Sequence, residues 1–226
     1  MFPKTGSIHI DQFNAGDRDP EIMKEIFFLT EEYELPNISI PAYIKAYAPF
    51  YPNFDESAFY KFLEMFEVDS NSKLNRLSYG QKKKALISFG IATNAKYLIM
   101  DEPTNGLDIP SKSQFRKVML SGFREDQIMI ISTHQVRDLN QLIEGIIIIE
   151  KGKIILNRDI VTLENKIHFS KHFTDQPVDG SIYSEMTPSG YIHVLPNQQN
   201  LENEIELEVL FNAAIQNQEG LNQLLN

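Results

Sequence analysis

The stretch Tyr97-Leu98-Ile99-Met100-Asp101-Glu102-Pro103 constrains this chain more than any other. An apolar run that stops on two adjacent carboxylates and a turn proline predicts a strand buried on both faces, as in a parallel sheet covered by helices. Open α/β sheets hold their ligands at the carboxyl end of such strands, and that is where the acids emerge. Successive strand residues point to opposite sides, so the pair divides into two tasks. One acid suits a hydrated divalent cation and the other a reacting water.

With 226 residues the chain can bury one main core and a small annex. A formal charge of -10 argues against nucleic acid, whose affinity comes largely from Lys and Arg neutralising phosphates. There is no cysteine, so disulfides are excluded. The longest apolar runs, such as Ile146 to Ile149, fall far short of the ~20 residues that span a bilayer. The start, MFPKTGSIHI, has neither the basic residues nor the apolar stretch of a signal peptide. A soluble chain is expected, with any membrane connection made through a partner.

Along the chain, Ser7 to Ile10 predicts a lone short strand, 14–20 a loop, and Ile26 to Leu29 a buried strand. From Ser39 to Phe66 the period lengthens to about 3.6. Ala42, Tyr43, Ala46 and Tyr47 form one helical stripe, Pro49 to Pro52 interrupts it, and Phe59, Phe62, Leu63 and Phe66 form a second, with Asn53 and Asp55 as candidate caps. Leu77-Ser78-Tyr79-Gly80-Gln81 opens a helix with Ala85, Ser88, Phe89 and Ala92 on one face, and Lys82 to Lys84 read as a solvated run. A helix from Pro110 to Leu120 and a strand at Ile128 to Ile131, ending on Ser132-Thr133-His134, complete a βαβ pattern. Ile146 to Ile149 and Lys153 to Leu156 read as a hairpin at the sheet margin. Beyond Asn157 a second hairpin and a short helix at 207–214 form an α+β annex in which no chemistry is legible. His168 and His172 have a helical i, i+4 spacing, but no third ligand accompanies them.

LSYGQ, then YLIMDEP, then Gly106-Leu107-Asp108, then a histidine after a buried strand: in this order and spacing the set resembles the ATP-binding cassette (ABC) ATPases. The resemblance covers roughly residues 6–156, and the short aromatic helical segment is similar to that of bacterial transporter ATPases. It implies a P-loop NTPase-like α/β fold, with a truncated ATPase domain at 1–156, a helical insert at about 39–92, and a C-terminal α+β extension at 157–226. It implies further that Asp101 holds Mg²⁺ through its water shell and that Glu102 orients or deprotonates the water attacking the γ-phosphorus of ATP. His134 would donate to that phosphate. Ser78, Gly80 and Gln81, in the signature, would bind a nucleotide held by another subunit, with Asp108 at the subunit boundary. Each has a plainer reading: a turn pair for the two acids, a satisfied structural histidine, an ordinary capped helix, a turn aspartate.

Two departures from the family pattern stand out. Tyr79 occupies the first of the signature's two glycine positions, which implies altered local packing with the phosphate contact kept. Glu31 falls where most members have a metal-sensing glutamine, where a carboxylate near Mg²⁺ can still accept from metal-bound water, though an exposed Glu31 is the plain alternative.

No Gly-x-x-x-x-Gly-Lys-[Ser/Thr] occurs in the sequence, and Gly152-Lys153 is the only Gly-Lys pair. In the family this phosphate cradle and its strand precede the segment that Pro3 to Ile8 resembles. The expectation is an N-terminally truncated ATPase that binds ATP weakly alone, the complete polypeptide being the ATP-hydrolysing subunit of a bacterial ABC transporter. That subunit would be cytoplasmic, held at the inner face of the membrane by a transmembrane permease partner, and paired with a second ABC ATPase subunit over two ATP molecules. The alternatives are a non-catalytic half-site or regulatory module that lends its signature to a partner, and a soluble ABC ATPase without transport.

Overall fold

The computed structural model describes residues 5–136, 139, 142–173, 178–188, 190–198, 201–202 and 204–225. The chain forms two compact units, residues 1–135 and 136–226.

The first unit begins with a small hairpin, β1 (His9–Ile10) and β2 (Phe13–Asn14), followed by a short helix α1 (Pro20–Met23) capped by Asp19. The first strand is therefore not alone. Asp11, in a left-handed turn, accepts from Lys96 Nζ and from the Tyr97 hydroxyl, each at 2.8 Å, and so ties the hairpin to the start of the central strand. Three parallel strands follow in the order β3 (Ile26–Leu29), β4 (Tyr97–Asp101), β5 (Ile128–Ser132).

On one face of this sheet Phe27, Leu29, Leu98 and Met100 are buried. Phe27 packs on Phe89 and so closely on Gly90 that a Cβ there would stand 2.4 Å from the Phe27 ring. The opposite face departs from the expectation of two-sided burial. In register across it, Phe28 is 57% exposed, Ile99 is half-buried and Ile130 is 52% exposed. The described helices of this unit that touch the sheet do so on the other side.

The helical segment comprises α2 (Ile40–Tyr47) and α3 (Glu56–Met65). Ser39 caps α2, and its buried residues are Ile40 and Ile44 rather than the tyrosine and alanine stripe. Branched aliphatic side chains bury wholly, whereas Tyr43 is half-buried and stacks on the exposed Tyr47. Asp55, not Asn53, caps α3, accepting from the Ala58 amide at 2.9 Å. Phe59, Phe62, Leu63 and Phe66 are buried as their spacing predicts. Helix α4 (Tyr79–Ala92) is buried continuously from Ala85 onward, so it is a central helix rather than a one-sided one. Helix α5 (Ile109–Gly122) packs on α3 and α4 and leads into β5.

In the second unit β6 (Gly145–Glu150) and β7 (Lys153–Asp159) form a hairpin through Lys151 and Gly152, both with positive φ. This hairpin was expected at the margin of the parallel sheet, in the ATPase domain. It forms its own two-stranded sheet, and Ile148 and Leu156 bury in the core of the second unit with Leu163, Val194, Leu210 and Ala213. The compact division thus falls at 135/136 rather than at 156/157. Helix α6 (Ile160–Lys166) leads into an antiparallel sheet ordered β8 (Ile167–His172), β10 (Gly190–Pro196), β9 (Tyr183–Thr187). Helices α7 (Leu207–Gln216) and α8 (Gln218–Leu225) complete this core. His168 and His172 lie on a strand, where an i, i+4 pair is separated by about 13 Å along the chain, so the helical metal spacing does not apply.

Candidate functional site

The site is built where β4 and β5 end side by side. Asp101 is paired in register with Ser132, whose hydroxyl donates to Asp101 Oδ1 at 2.5 Å. One residue on, the Glu102 amide donates to the Ser132 carbonyl at 2.9 Å while Glu102 itself adopts φ +47°. A left-handed glutamate is strained, and the strain turns its carboxylate toward the end of β5.

There Oε2 accepts from the Thr133 hydroxyl at 2.9 Å. Oε1 accepts from the His134 amide at 2.8 Å and lies 2.6 Å from His134 Nδ1. An ionised carboxylate only accepts, so Nδ1 carries a proton and Nε2 is directed away from the carboxylate. The Glu102 side chain is 13% exposed against 70% for His134. A shielded carboxylate beside an outward-facing imidazole follows directly from that difference.

The second part of the site is the start of α4. Ser78 Oγ accepts from the Gln81 amide at 3.2 Å, and Gln81 Oε1 accepts from the Ser78 amide at 3.0 Å, a reciprocal capping box. Gln81 is therefore a cap partner first. The amides of Tyr79 and Gly80, at the first two helical positions, have no intrahelical acceptor and face the positive end of the helix dipole. The Ser78 hydroxyl proton also remains to be donated. A Cβ at Gly80 would meet only the Gly106 carbonyl, at 3.6 Å, and the Leu107 side chain, so the chain itself does not demand glycine there.

Asp108 caps α5. Hydrogen bonds from the Ser111 hydroxyl and then its amide hold the Asp108 carboxyl below the usual carboxylate range. Glu31 is not free: its Oε1 accepts from Asn105 Nδ2 at 2.8 Å. Among the described residues no three His, Asp or Glu side chains are gathered to hold a metal. Asp101 and Glu31 are single acids with separate partners. Such acids suit Mg²⁺, which keeps most of its waters and takes one or two carboxylates together with substrate phosphates. For ATP, the residues fit the γ-phosphate end, with two amides and a hydroxyl at the start of α4 and, separately, a shielded carboxylate at the end of β4. The β-phosphate cradle is not among these 226 residues.

Sequence reasoning missed Lys83, read as part of a solvated run. It is 0% exposed, and Nζ donates to the Glu102 carbonyl at 2.9 Å and the Asn105 carbonyl at 3.0 Å. The turn that carries Glu102 is thus held by a buried ammonium. The signal was present: Lys83 lies four residues before buried Ile87, on the inward stripe of α4. Lys84 is likewise engaged, with the Phe66 carbonyl and Gln114.

A parallel sheet that delivers Asp101 and Glu102 to one edge, with a serine-capped helix in the same unit, is an α/β arrangement of the P-loop NTPase-like fold. Residues 2–105 match the family described as ABC transporter. Over 175 residues it is 25% identical to the SkfA peptide export ATP-binding protein SkfE of Bacillus subtilis strain 168, covering 75% of this chain and 72% of that one. It is 34% identical over 92 residues to the lantibiotic transport ATP-binding protein SrtF of Streptococcus pyogenes, covering 41% and 40%. The solved structure of an ATP-binding subunit of an ABC transporter superposes with a TM-score of 0.63 at 19% identity, covering 73% of this chain and 71% of the other. The chain spans less than a third of the length of several curated relatives it matches. No helix among the described residues is long and apolar enough to cross a membrane.

Proposed function

We propose that this polypeptide works as the ATP-binding subunit of an ABC transporter, hydrolysing ATP at a composite site to drive a membrane permease. The observation that carries the reading is Glu102, held at the carboxyl edge of the sheet by Thr133 and His134. In this reading Glu102 takes the proton of the attacking water, and the hydrogen bonds from Thr133 and His134 fix its two oxygens. His134, once protonated on both nitrogens, donates from Nε2 to the γ-phosphate. Asp101 faces the hydrated Mg²⁺, which supplies charge neutralisation for the phosphates when bound. Ser78 with the amides of Tyr79 and Gly80 receives the γ-phosphate of a nucleotide cradled by a second ATPase subunit, and Asp108 lies near that boundary. Relatives named for peptide export and lantibiotic transport support the transporter setting, and the permease places the subunit at the membrane's inner face.

Because the β-phosphate cradle lies outside these 226 residues, it comes either from sequence read in frame with them or from another subunit. The first makes the polypeptide a complete ATPase; the second makes it a module that lends its signature. Expressing the whole reading frame and assaying ATP hydrolysis separates the two. Replacing Glu102 by Gln is expected to lower hydrolysis by about 10²- to 10⁴-fold with nucleotide binding retained. Hydrolysis unchanged in E102Q would end the assignment.

A further inference from the structure

Tyr79, at the first position of α4, is bound to a segment 46 residues away. Its ring stacks on Tyr33 with centroids 5.8 Å apart and planes 16° from parallel. The two hydroxyls are exchanged between backbones: Tyr33 Oη donates to the Tyr79 carbonyl and Tyr79 Oη to the Glu31 carbonyl, each at 3.2 Å. Burial pushes the Tyr33 hydroxyl well above the ordinary tyrosine pKa, so it stays a donor at any physiological pH.

Tyr79 also closes on the turn after the acidic pair. Gly106 has φ +77°, and a Cβ there would stand 2.7 Å from Tyr79 Cε1, so ring and turn are in direct contact. Lys83 Nζ sits 5.1 Å from the Tyr79 ring centroid, and the same ammonium donates to the Glu102 and Asn105 carbonyls. Asn105 in turn donates to Glu31. The contacts make a closed circuit: the Glu31 segment, Tyr33, Tyr79, Lys83, Asn105, and Glu31 again. A glycine at position 79 would keep the anion-facing amide and the carbonyl that accepts from Tyr33, but would remove the hydroxyl bond to Glu31, the stack and the contact with Lys83.

We propose that Tyr79 is a positioning residue whose ring and hydroxyl couple the 31–33 segment to the first turn of α4, so that Glu31, the Asn105–Gly106 turn and the anion-facing amides of Tyr79 and Gly80 move as one body. The coupling rests on the proposed function only for its consequence in hydrolysis; its geometry stands without nucleotide.

The test is amide hydrogen exchange on the nucleotide-free chain, comparing wild type with Tyr79→Gly, Tyr79→Phe and Tyr33→Phe. Tyr79→Gly is expected to speed exchange at the Asn105 and Leu107 amides, bonded to the Glu102 and Thr104 carbonyls, by about tenfold, with α3 and residues 136–226 unchanged. Tyr79→Phe keeps the stack and is expected to restore more than half of the protection on a logarithmic scale, which a loss of general stability would not predict. Should Tyr79→Gly loosen the whole unit, the hydroxyl-only variant Tyr33→Phe decides: exchange must rise at the Gln81 and Lys82 amides, both bonded to Ser78, as well as at Asn105 and Leu107. Exchange at Asn105 and Leu107 within twofold of wild type in Tyr79→Gly, or at Gln81 and Lys82 in Tyr33→Phe, overturns the coupling. In the hydrolysing assembly, Tyr79→Gly is expected to lower kcat with little change in KM. An E102Q variant that hydrolyses normally while the exchange coupling is seen would sink the proposed function and leave the coupling standing.

Discussion

Lys83 shows how much one side chain can decide at this edge. A fully buried ammonium is tolerable here because two carbonyls of the turn accept from it and the Tyr79 ring lies beside it. Lys83→Met is expected to lower stability by about 2 kcal/mol, since two buried acceptors lose a charged donor. Urea midpoints check this, and Lys83→Arg, with a larger head in a closed space, should not recover it fully. The lysine run disguised this role, because composition alone reads three adjacent cations as surface. The place of Asp101 and Glu102 at the end of a strand was legible for the opposite reason: an apolar run that stops on two acids marks where the strand ends. What the sequence did not contain was the left-handed backbone at Glu102, which depends on β5 pairing, or the occupation of Glu31 by Asn105.

At the scale of the element, caps and close approaches carried the local folding. Ser78 with Gln81 and Asp55 were readable because capping follows from a few adjacent residues. Hydrogen bonds from the Ala58 amide and then the Ser57 hydroxyl lower the Asp55 pKa below the usual 3.8. With the folded value depressed, the cap's contribution is present above pH 3.8 and is lost as pH falls through that lowered value. Asp55→Ala is expected to cost about 1 kcal/mol at neutral pH. Asp55→Asn should keep most of the stability and flatten the acid limb, as urea unfolding at pH 2.5 and 7 would report. Gly90 is a different case, since its reason lies across the sequence in Phe27. Gly90→Ala is expected to destabilise by about 1–3 kcal/mol despite alanine's better helix propensity, a reversal that thermal unfolding detects. The stripe of α2 was misjudged because tyrosines counted as core, and the three-dimensional context assigned burial to Ile40 and Ile44.

At the scale of the molecule, the parallel order and the two-part division were legible, but not where the division falls. A hairpin such as Ile146 to Leu156 carries no label of the core it joins, and Ile148 and Leu156 chose the second. That unit has a core of its own, so residues 136–226 expressed alone are expected to unfold cooperatively, with calorimetry as the check. It also contains a buried histidine. Burial first, and then the nearby His172, depress the His193 pKa below the usual 6.5, while Ser184 holds its Nδ1. The unfolded chain therefore binds a proton that the folded unit resists, and stability falls as pH drops from 6.5 toward the lowered folded value. His193→Gln should remove that part of the slope in urea midpoints measured from pH 7.5 to 5.

The backbone angle at Glu102 bears on how this protein would respond to laboratory evolution. A residue without a Cβ, or asparagine, would relax at φ +47°, so heat-challenge selection by itself would favour replacing the proposed base. The hardiest survivors of such a screen would be the ones that had given up their chemistry, and any search for robust variants must select for turnover at the same time.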